Sequence, residues 1–191
     1  MAADGTLFYL MGPSGSGKDT LLEAALLRIQ ADPAVEQHLP VQATRTITRS
    51  ADAGGEAHKS VSEAEFEQQL QQGQFCMHWQ AHGNHYGIGS EIMLWLSEGR
   101  NVLVNGSRAY LSSAREVVPD LVALLVDVPE AVRHKRLQSR ARESGLELKA
   151  RMNRKVDLSA DSQGIYLIDN AVELEESVQS FCELIIRHSK I

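Results

Sequence analysis

Cysteine is scarce in this chain. Cys76 and Cys182 are the only two in 191 residues, too few for a disulfide framework, so a reducing cytoplasm is the expected setting. Long apolar runs are missing as well. The longest, Leu121 to Val126, has six residues, whereas roughly 20 are needed to cross a bilayer. The N-terminal Met1-Ala2-Ala3-Asp4-Gly5 carries no basic stretch, so a secretory signal is not expected. Net positive charge is lacking too, with 19 Lys+Arg against 25 Asp+Glu and a formal charge of −6, which argues against a general nucleic-acid binder. Neither an internal repeat nor a low-complexity linker interrupts the chain.

What remains is ordinary globular composition, 43% apolar and 23% charged, and at roughly 100–200 residues per domain it makes one domain. The mean charge hides an asymmetry. Arg133, Lys135, Arg136, Arg140, Arg142, Lys149, Arg151, Arg154 and Lys155 face only Glu143 and Glu147 between positions 133 and 155, a net +7 that leaves −13 on the rest. A basic segment on an acidic body asks for an anionic partner at one place.

Thr6 to Met11 reads as a strand, the glycine-rich stretch after it as a turn, and Asp19 to Ala31 as a helix, with Leu22, Ala25, Leu26 and Ile29 on its apolar stripe. Val102–Val104, Leu121–Val126 and Ile165–Ile168 are continuous apolar runs, as strands covered on both faces should be. Helices are expected at about 89–98, 109–116, 130–142, 147–157 and 173–188, the last with Leu174, Val178, Phe181 and Ile185 in period. This alternation implies an α/β sandwich of three layers around a parallel sheet. Residues 44–89 break the rhythm. That stretch is polar, holds six of the fourteen glycines, and signals one helix, 62–72, through the capping pattern Ser62-x-x-Glu65 followed by Phe66 and Leu70. It reads as an inserted substrate lobe.

Gly12-Pro13-Ser14-Gly15-Ser16-Gly17-Lys18 fits G-x-x-x-x-G-K, in which backbone N–H groups and a helix N-terminus cradle phosphates while the lysine reaches the β and γ groups. From the chain's own glycine and lysine frequencies such a match arises by chance about 0.03 times. A nucleotide, ATP with Mg²⁺, is the expected ligand. Asp19 stands where a Ser or Thr hydroxyl normally meets the metal, and Thr20 follows it. Either Thr20 takes the metal side, or Asp19 holds Mg²⁺ through a water, or Asp19 is simply an acid favoured in the first helical turn.

With the motif Gly12 to Lys18, Thr44-Arg45, Gly55-Glu56, Ser62-x-x-Glu65-Phe66, Gly73-x-Phe75, Trp79, His82-Gly83-Asn84-x-Tyr86-Gly87 and Arg136-Leu137-x-x-Arg140, the chain resembles the guanylate-kinase branch of the P-loop kinases over nearly its whole length. The resemblance implies a P-loop kinase sandwich with an acceptor-binding lobe at about 44–89 and an arginine-rich lid at about 133–155. It further implies that Arg45 and Tyr86 grip the acceptor phosphate, that Arg49 is the second such arginine despite a spacing of four rather than three, and that Arg136, Arg140 and Arg151 belong to the lid. Lys18, Arg140 and Arg151 would then be catalytic. Arg136 would contact the nucleotide with Gly12 to Thr20.

The departures carry information of their own. That family reads guanine with a glutamate before the tryptophan and an Asp-x-Asp pair ending the third strand; here the positions are His78, Asn105 and Ser107. Imidazole, amide and hydroxyl cannot replace bidentate acceptance by a carboxylate, and donors left unpaired cost about 1–3 kcal/mol each. An acceptor with phosphate and without guanine is indicated. In this the chain is similar to the ribose 1,5-bisphosphokinases of phosphonate breakdown, including Gly17-Lys18-Asp19 and the Ala51-Asp52-Ala53-Gly54-Gly55-Glu56 stretch. His78, His85 and Asn105 are then expected in the acceptor pocket, with His82 a turn residue, and a zinc site on His78-x₃-His82-x₂-His85 is disfavoured for want of cysteine pairs or carboxylates. Trp79 and Trp95 read as core. Asp127 reads as a capping or surface acid rather than a metal carboxylate. The expected partners are ATP and a small phosphorylated sugar, with no nucleic acid or membrane; a homodimer is compatible with the sequence. Two rival readings remain: a nucleoside monophosphate kinase for another base, and a non-catalytic phosphopeptide-binding module, which would not need a complete phosphate loop.

Overall fold

The computed structural model describes residues 5–50, 57–139 and 164–190. Five parallel strands form the central sheet: β1 (Leu7–Met11), β2 (Val41–Gln42), β7 (Val102–Asn105), β8 (Val122–Asp127) and β9 (Ile165–Asp169), in the spatial order β2-β7-β1-β8-β9. The four longer ones are the apolar runs of the sequence, each shifted by a residue or less at its start. Strand β2 is new. With two residues it offers too short a pattern to be heard.

Side-chain alternation along β1 divides the core in two. Phe8 and Leu10 enter the layer built by helices α1 (Lys18–Ala31) and α6 (Leu174–His188), against Leu21, Leu22, Ala25, Ile29, Val178, Phe181 and Ile185. Leu7, Tyr9 and Met11 enter the other, against Ile92 and Leu96 of α3 (Glu91–Ser97) and Leu111 and Ala114 of α4 (Leu111–Val117). Elements on both faces cover the central strands β1 and β7, whose side chains are all buried, as continuous apolar runs require; the edge strand β9 buries only Ile168 and leaves Leu167 65% exposed. The apolar stripe of α6 is as expected except at Leu174, which opens the helix and stays 41% exposed.

A second sheet occupies the polar stretch. Its order is β4-β3-β6-β5, from β3 (Arg45–Ile47), β4 (Lys59–Ser60), β5 (Phe75–Ala81) and β6 (Asn84–Gly89). The expected helix is present as α2 (Glu63–Gln71): Ser62 Oγ accepts from the Glu65 N–H at 3.2 Å, and the Glu65 carboxylate accepts from the Ser62 N–H at 2.7 Å. The sheet itself was not foreseen. Its central hairpin turns on His82 and Gly83, with φ of 52° and 71°, between the paired residues Ala81 and Asn84. Two positive φ values mark the tight turn whose twist suits a hairpin, usually written Asn-Gly; a histidine in the first place conceals it. Gly87, facing the Phe75 ring with no room for a side chain (a Cβ would lie 2.7 Å from it), further weakens the strand signal.

Helix α5 (Glu130–Ser139) follows β8. The lid residues Arg140, Arg142, Lys149, Arg151, Arg154 and Lys155, the expected helix at 147–157, and Ala51 to Glu56 lie outside the described residues.

Candidate active site

The strand order places β1 between β7 and β8, and the loop leaving β1 at that position sits at the carboxyl edge of the sheet, where open α/β sheets bind their ligands. The loop is Gly12 to Gly17, and Lys18 opens α1. Gly15 and Gly17 both have φ of 80°, a conformation that a β-carbon disfavours. At Gly12 the constraint is space: a Cβ would come 2.8 Å from the Val126 carbonyl and 3.0 Å from Ser16 Oγ. The backbone therefore closes on itself, with Ser16 N–H donating to the Pro13 carbonyl at 3.1 Å.

Ser16 is 1% exposed, and its hydroxyl meets no hydrogen-bond partner among the described residues. An orphaned hydroxyl inside a glycine cradle fits an anionic oxygen as its missing partner. Pro13 is buried, Ser14 and Lys18 are half-buried, and Thr20 is exposed on the first turn of α1. Asp19, half-buried beside it, has a carboxylate oxygen 3.5 Å from Nδ2 of Asn105. Asn105 ends β7 and is 2% exposed. The Asp19 carboxylate is a hard oxygen donor of the kind that suits Mg²⁺.

Two residues reach this loop from behind. Asn170, just past β9 and 4% exposed, donates from Nδ2 to the Ser16 carbonyl at 2.6 Å. Arg136 of α5 donates to the same carbonyl at 3.3 Å and to the Asn170 carbonyl at 3.0 Å. Arg136, expected at the nucleotide, is thus set against the loop itself. Asn170 was not anticipated, because a single polar residue after a short apolar run has no spacing signature. Asp127 is exposed at the end of β8, and its carbonyl accepts from the Asn170 N–H at 3.0 Å.

The second sheet brings Arg45 and Tyr86 together. Arg45 Cζ stands 5.4 Å from the centre of the Tyr86 ring, and Tyr86 stacks on Trp79, with centroids 5.5 Å apart and planes 2° from parallel. Trp79 in turn meets Tyr110 at 5.4 Å. Arg49 lies two residues beyond β3, its carbonyl accepting from Ser60 Oγ at 2.7 Å. Both tryptophans are half-buried against the inner core, as expected.

The histidines stand elsewhere. His78 pairs across the ladder with Gly87 and Gln80 with His85, so by strand alternation both histidines face away from the side that carries Trp79, Tyr86 and Arg45. His85 lies instead against Phe66 of α2, 5.4 Å between ring centres, and His78 is exposed. Both were expected in the acceptor pocket; the alternation sets them on the face of the second sheet opposite Tyr86. Their spacing in sequence could not reveal it without the β5–β6 register.

Beneath Arg45 lies Tyr9, which is fully buried and exchanges two bonds with Ser107: its phenol donates to the carbonyl at 3.0 Å and accepts the N–H at 2.9 Å. Burial raises the phenol well above its ordinary pKa, so the hydroxyl remains a donor. Tyr110 extends this chain of contacts to the second sheet, its hydroxyl accepting from the His78 N–H at 3.3 Å. Tyr9→Phe leaves the Ser107 N–H unpaired and is expected to destabilise the protein by about 1–3 kcal/mol. Urea unfolding at neutral pH measures it; a loss under about 0.3 kcal/mol would show that the exchange contributes nothing net.

The guanylate kinase family model matches residues 5–187. The chain belongs to the guanylate kinase family. Within it, the chain is 44% identical over 180 residues to the ribose 1,5-bisphosphate phosphokinase PhnN of Desulfomicrobium baculatum, covering 94% of each. It is 50% identical over 149 residues to the Yersinia pestis protein of the same name, covering 78% of this chain and 74% of that one. The guanylate kinase of Anaplasma phagocytophilum superposes with a TM-score of 0.63 at 19% identity, over 97% of this chain and 86% of that one, a likeness of fold. Family membership accounts for the phosphate loop and the five-stranded sheet. It leaves open what the altered positions 78, 105 and 107 accept.

Proposed function

We propose that the protein transfers the γ-phosphate of ATP to the 1-phosphate of ribose 1,5-bisphosphate, forming 5-phosphoribosyl 1-diphosphate. The observation that carries this reading is the 44% identity, over nearly all of both chains, to a protein named for that acceptor. The site chemistry supports it independently: Arg45 and Tyr86 are kept for a phosphate, while no carboxylate stands at 78, 105 or 107 to accept from guanine.

The reaction needs no general base. A phosphate monoester has its second pKa at about 6 and is largely dianionic at pH 7. An oxygen of the 1-phosphate forms the new bond to the γ-phosphorus as the bond to the β,γ-bridging oxygen breaks, and ADP leaves with that electron pair. Catalysis is then positioning together with charge neutralisation. In this reading the N–H groups of Gly12 to Gly17 and the Lys18 ammonium hold the donor phosphates, and Arg45 and Arg49 hold the acceptor. Arg140 and Arg151 meet the equatorial oxygens of the group in transfer. Asp19 and Thr20 would hold Mg²⁺, which when bound offsets charge on the β- and γ-phosphates.

The test is incubation with Mg·ATP and, separately, ribose 1,5-bisphosphate, GMP, AMP and UMP, with product diphosphates followed by ³¹P NMR. Turnover on the sugar bisphosphate should exceed that on any nucleotide by at least about 100-fold in kcat/KM, since a base finds no matched partners. Comparable turnover on GMP would replace this reading with that of a nucleoside monophosphate kinase.

A further inference from the structure

The Ser16 carbonyl at the phosphate loop accepts from two side chains. It receives Nδ2 of Asn170 at 2.6 Å and Nη1 of Arg136 at 3.3 Å. Asn170 is itself fixed at both ends of its backbone, the N–H on the Asp127 carbonyl at 3.0 Å and the carbonyl under Nη2 of Arg136 at 3.0 Å. The contact is close on the other side as well. A Cβ on Gly17 would come 2.6 Å from Asn170 Nδ2 and 3.3 Å from Arg136 Nη1, so only glycine lets the amide approach. The ends of β8 and β9 thereby grip one peptide of the loop that follows β1.

A trans peptide points its C=O and its N–H to opposite sides. Holding the Ser16 carbonyl against Asn170 therefore turns the Gly17 N–H away from Asn170. Without the clamp this peptide could rotate cheaply, because Gly17 is free of the steric restraint that fixes other residues. We propose that Asn170 is a positioning residue of the phosphate loop, which holds the Ser16 carbonyl, with Arg136 as second donor, so that the Gly17 N–H faces the bound phosphates. This rests on the reading of Gly12–Lys18 as the donor-phosphate site, and it adds a residue that acts through the Ser16 carbonyl.

Asn170→Leu keeps the branched outline of the side chain, though not its volume, and removes the amide. Asn170→Ala removes the amide without added bulk; both leave the two backbone bonds of residue 170 in place. Asn170→Leu is expected to weaken binding of ADP and of inorganic pyrophosphate by the same factor, about tenfold, or about 1.4 kcal/mol each, because the loss falls on the phosphate cradle. The KM for the acceptor should stay within twofold. In ¹H–¹⁵N spectra, pyrophosphate should shift the Gly17 amide of the wild-type protein strongly and that of the variant weakly. A merely structural role would lower the melting temperature without separating donor from acceptor in this way. If Asn170→Leu does not fold, Asn170→Ala is read by the same measurements. Pyrophosphate affinity within twofold of wild type, or an acceptor KM that rises in equal proportion, overturns the proposal. Failure of the wild-type protein to bind either ADP or pyrophosphate would overturn the donor-site reading instead.

Discussion

Lys18→Met is expected to lower kcat by at least about 10³-fold while the protein stays folded, since removing a cation that meets the transferring charge costs 10³ or more in phosphoryl-transfer enzymes. Lys18 is the first residue of α1, directly after Gly17. From there its stem runs back over the loop, with Cδ 3.3 Å from where a Cβ of Gly12 would stand. Its ammonium thus belongs to the same cradle as the loop N–H groups. Methionine reproduces the unbranched stem and removes the charge, and at a half-buried helix start it costs little in helix propensity. A coupled ADP-release assay under saturating substrates reads the rate, and circular dichroism reads the fold. A folded variant that keeps a tenth of the wild-type rate would place the charge neutralisation elsewhere, in the arginines.

The parts of the molecule legible in the sequence are those whose signal is local. Each buried strand is its own apolar run, Ser62 and Glu65 announce α2 by their mutual bonding, and the glycines of the loop stand at fixed spacing from Lys18. What was not legible depends on register or on distance along the chain. The facing of His78 and His85 follows from the pairing of β5 with β6, set by a hairpin whose His-Gly corner lacks the usual asparagine. The grip on Ser16 joins residues 154 positions apart, and the bond between Tyr9 and Ser107 spans 98. Motifs record residues that meet the substrate. The residues that hold those residues in place need leave no pattern.

Gly106→Ala is expected to damage the fold, for a reason of space rather than backbone conformation. Gly106 follows β7 and donates its N–H to the Leu10 carbonyl at 2.8 Å, which sets it flat against β1. A Cβ there would overlap the Tyr9 ring at Cζ and both Cε atoms. The ring cannot withdraw. It is fully buried among Leu7, Met11, Val104 and Leu111, and its hydroxyl is held at both lone pair and proton by Ser107. One methyl must therefore displace either the central strand or the loop that carries Ser107, and overpacking of this kind costs about 3 kcal/mol. For a chain of this size that corresponds to a fall in melting temperature of about 6–12 °C. Tyr9→Leu removes the ring atoms that the methyl meets, so the double variant should lose less than the sum of the two single losses, by a coupling of about 1 kcal/mol or more between residues in contact. Thermal unfolding of the four proteins in the cycle measures both quantities. Additive losses would mean that the methyl is accommodated by the loop and that Tyr9 does not fix its position.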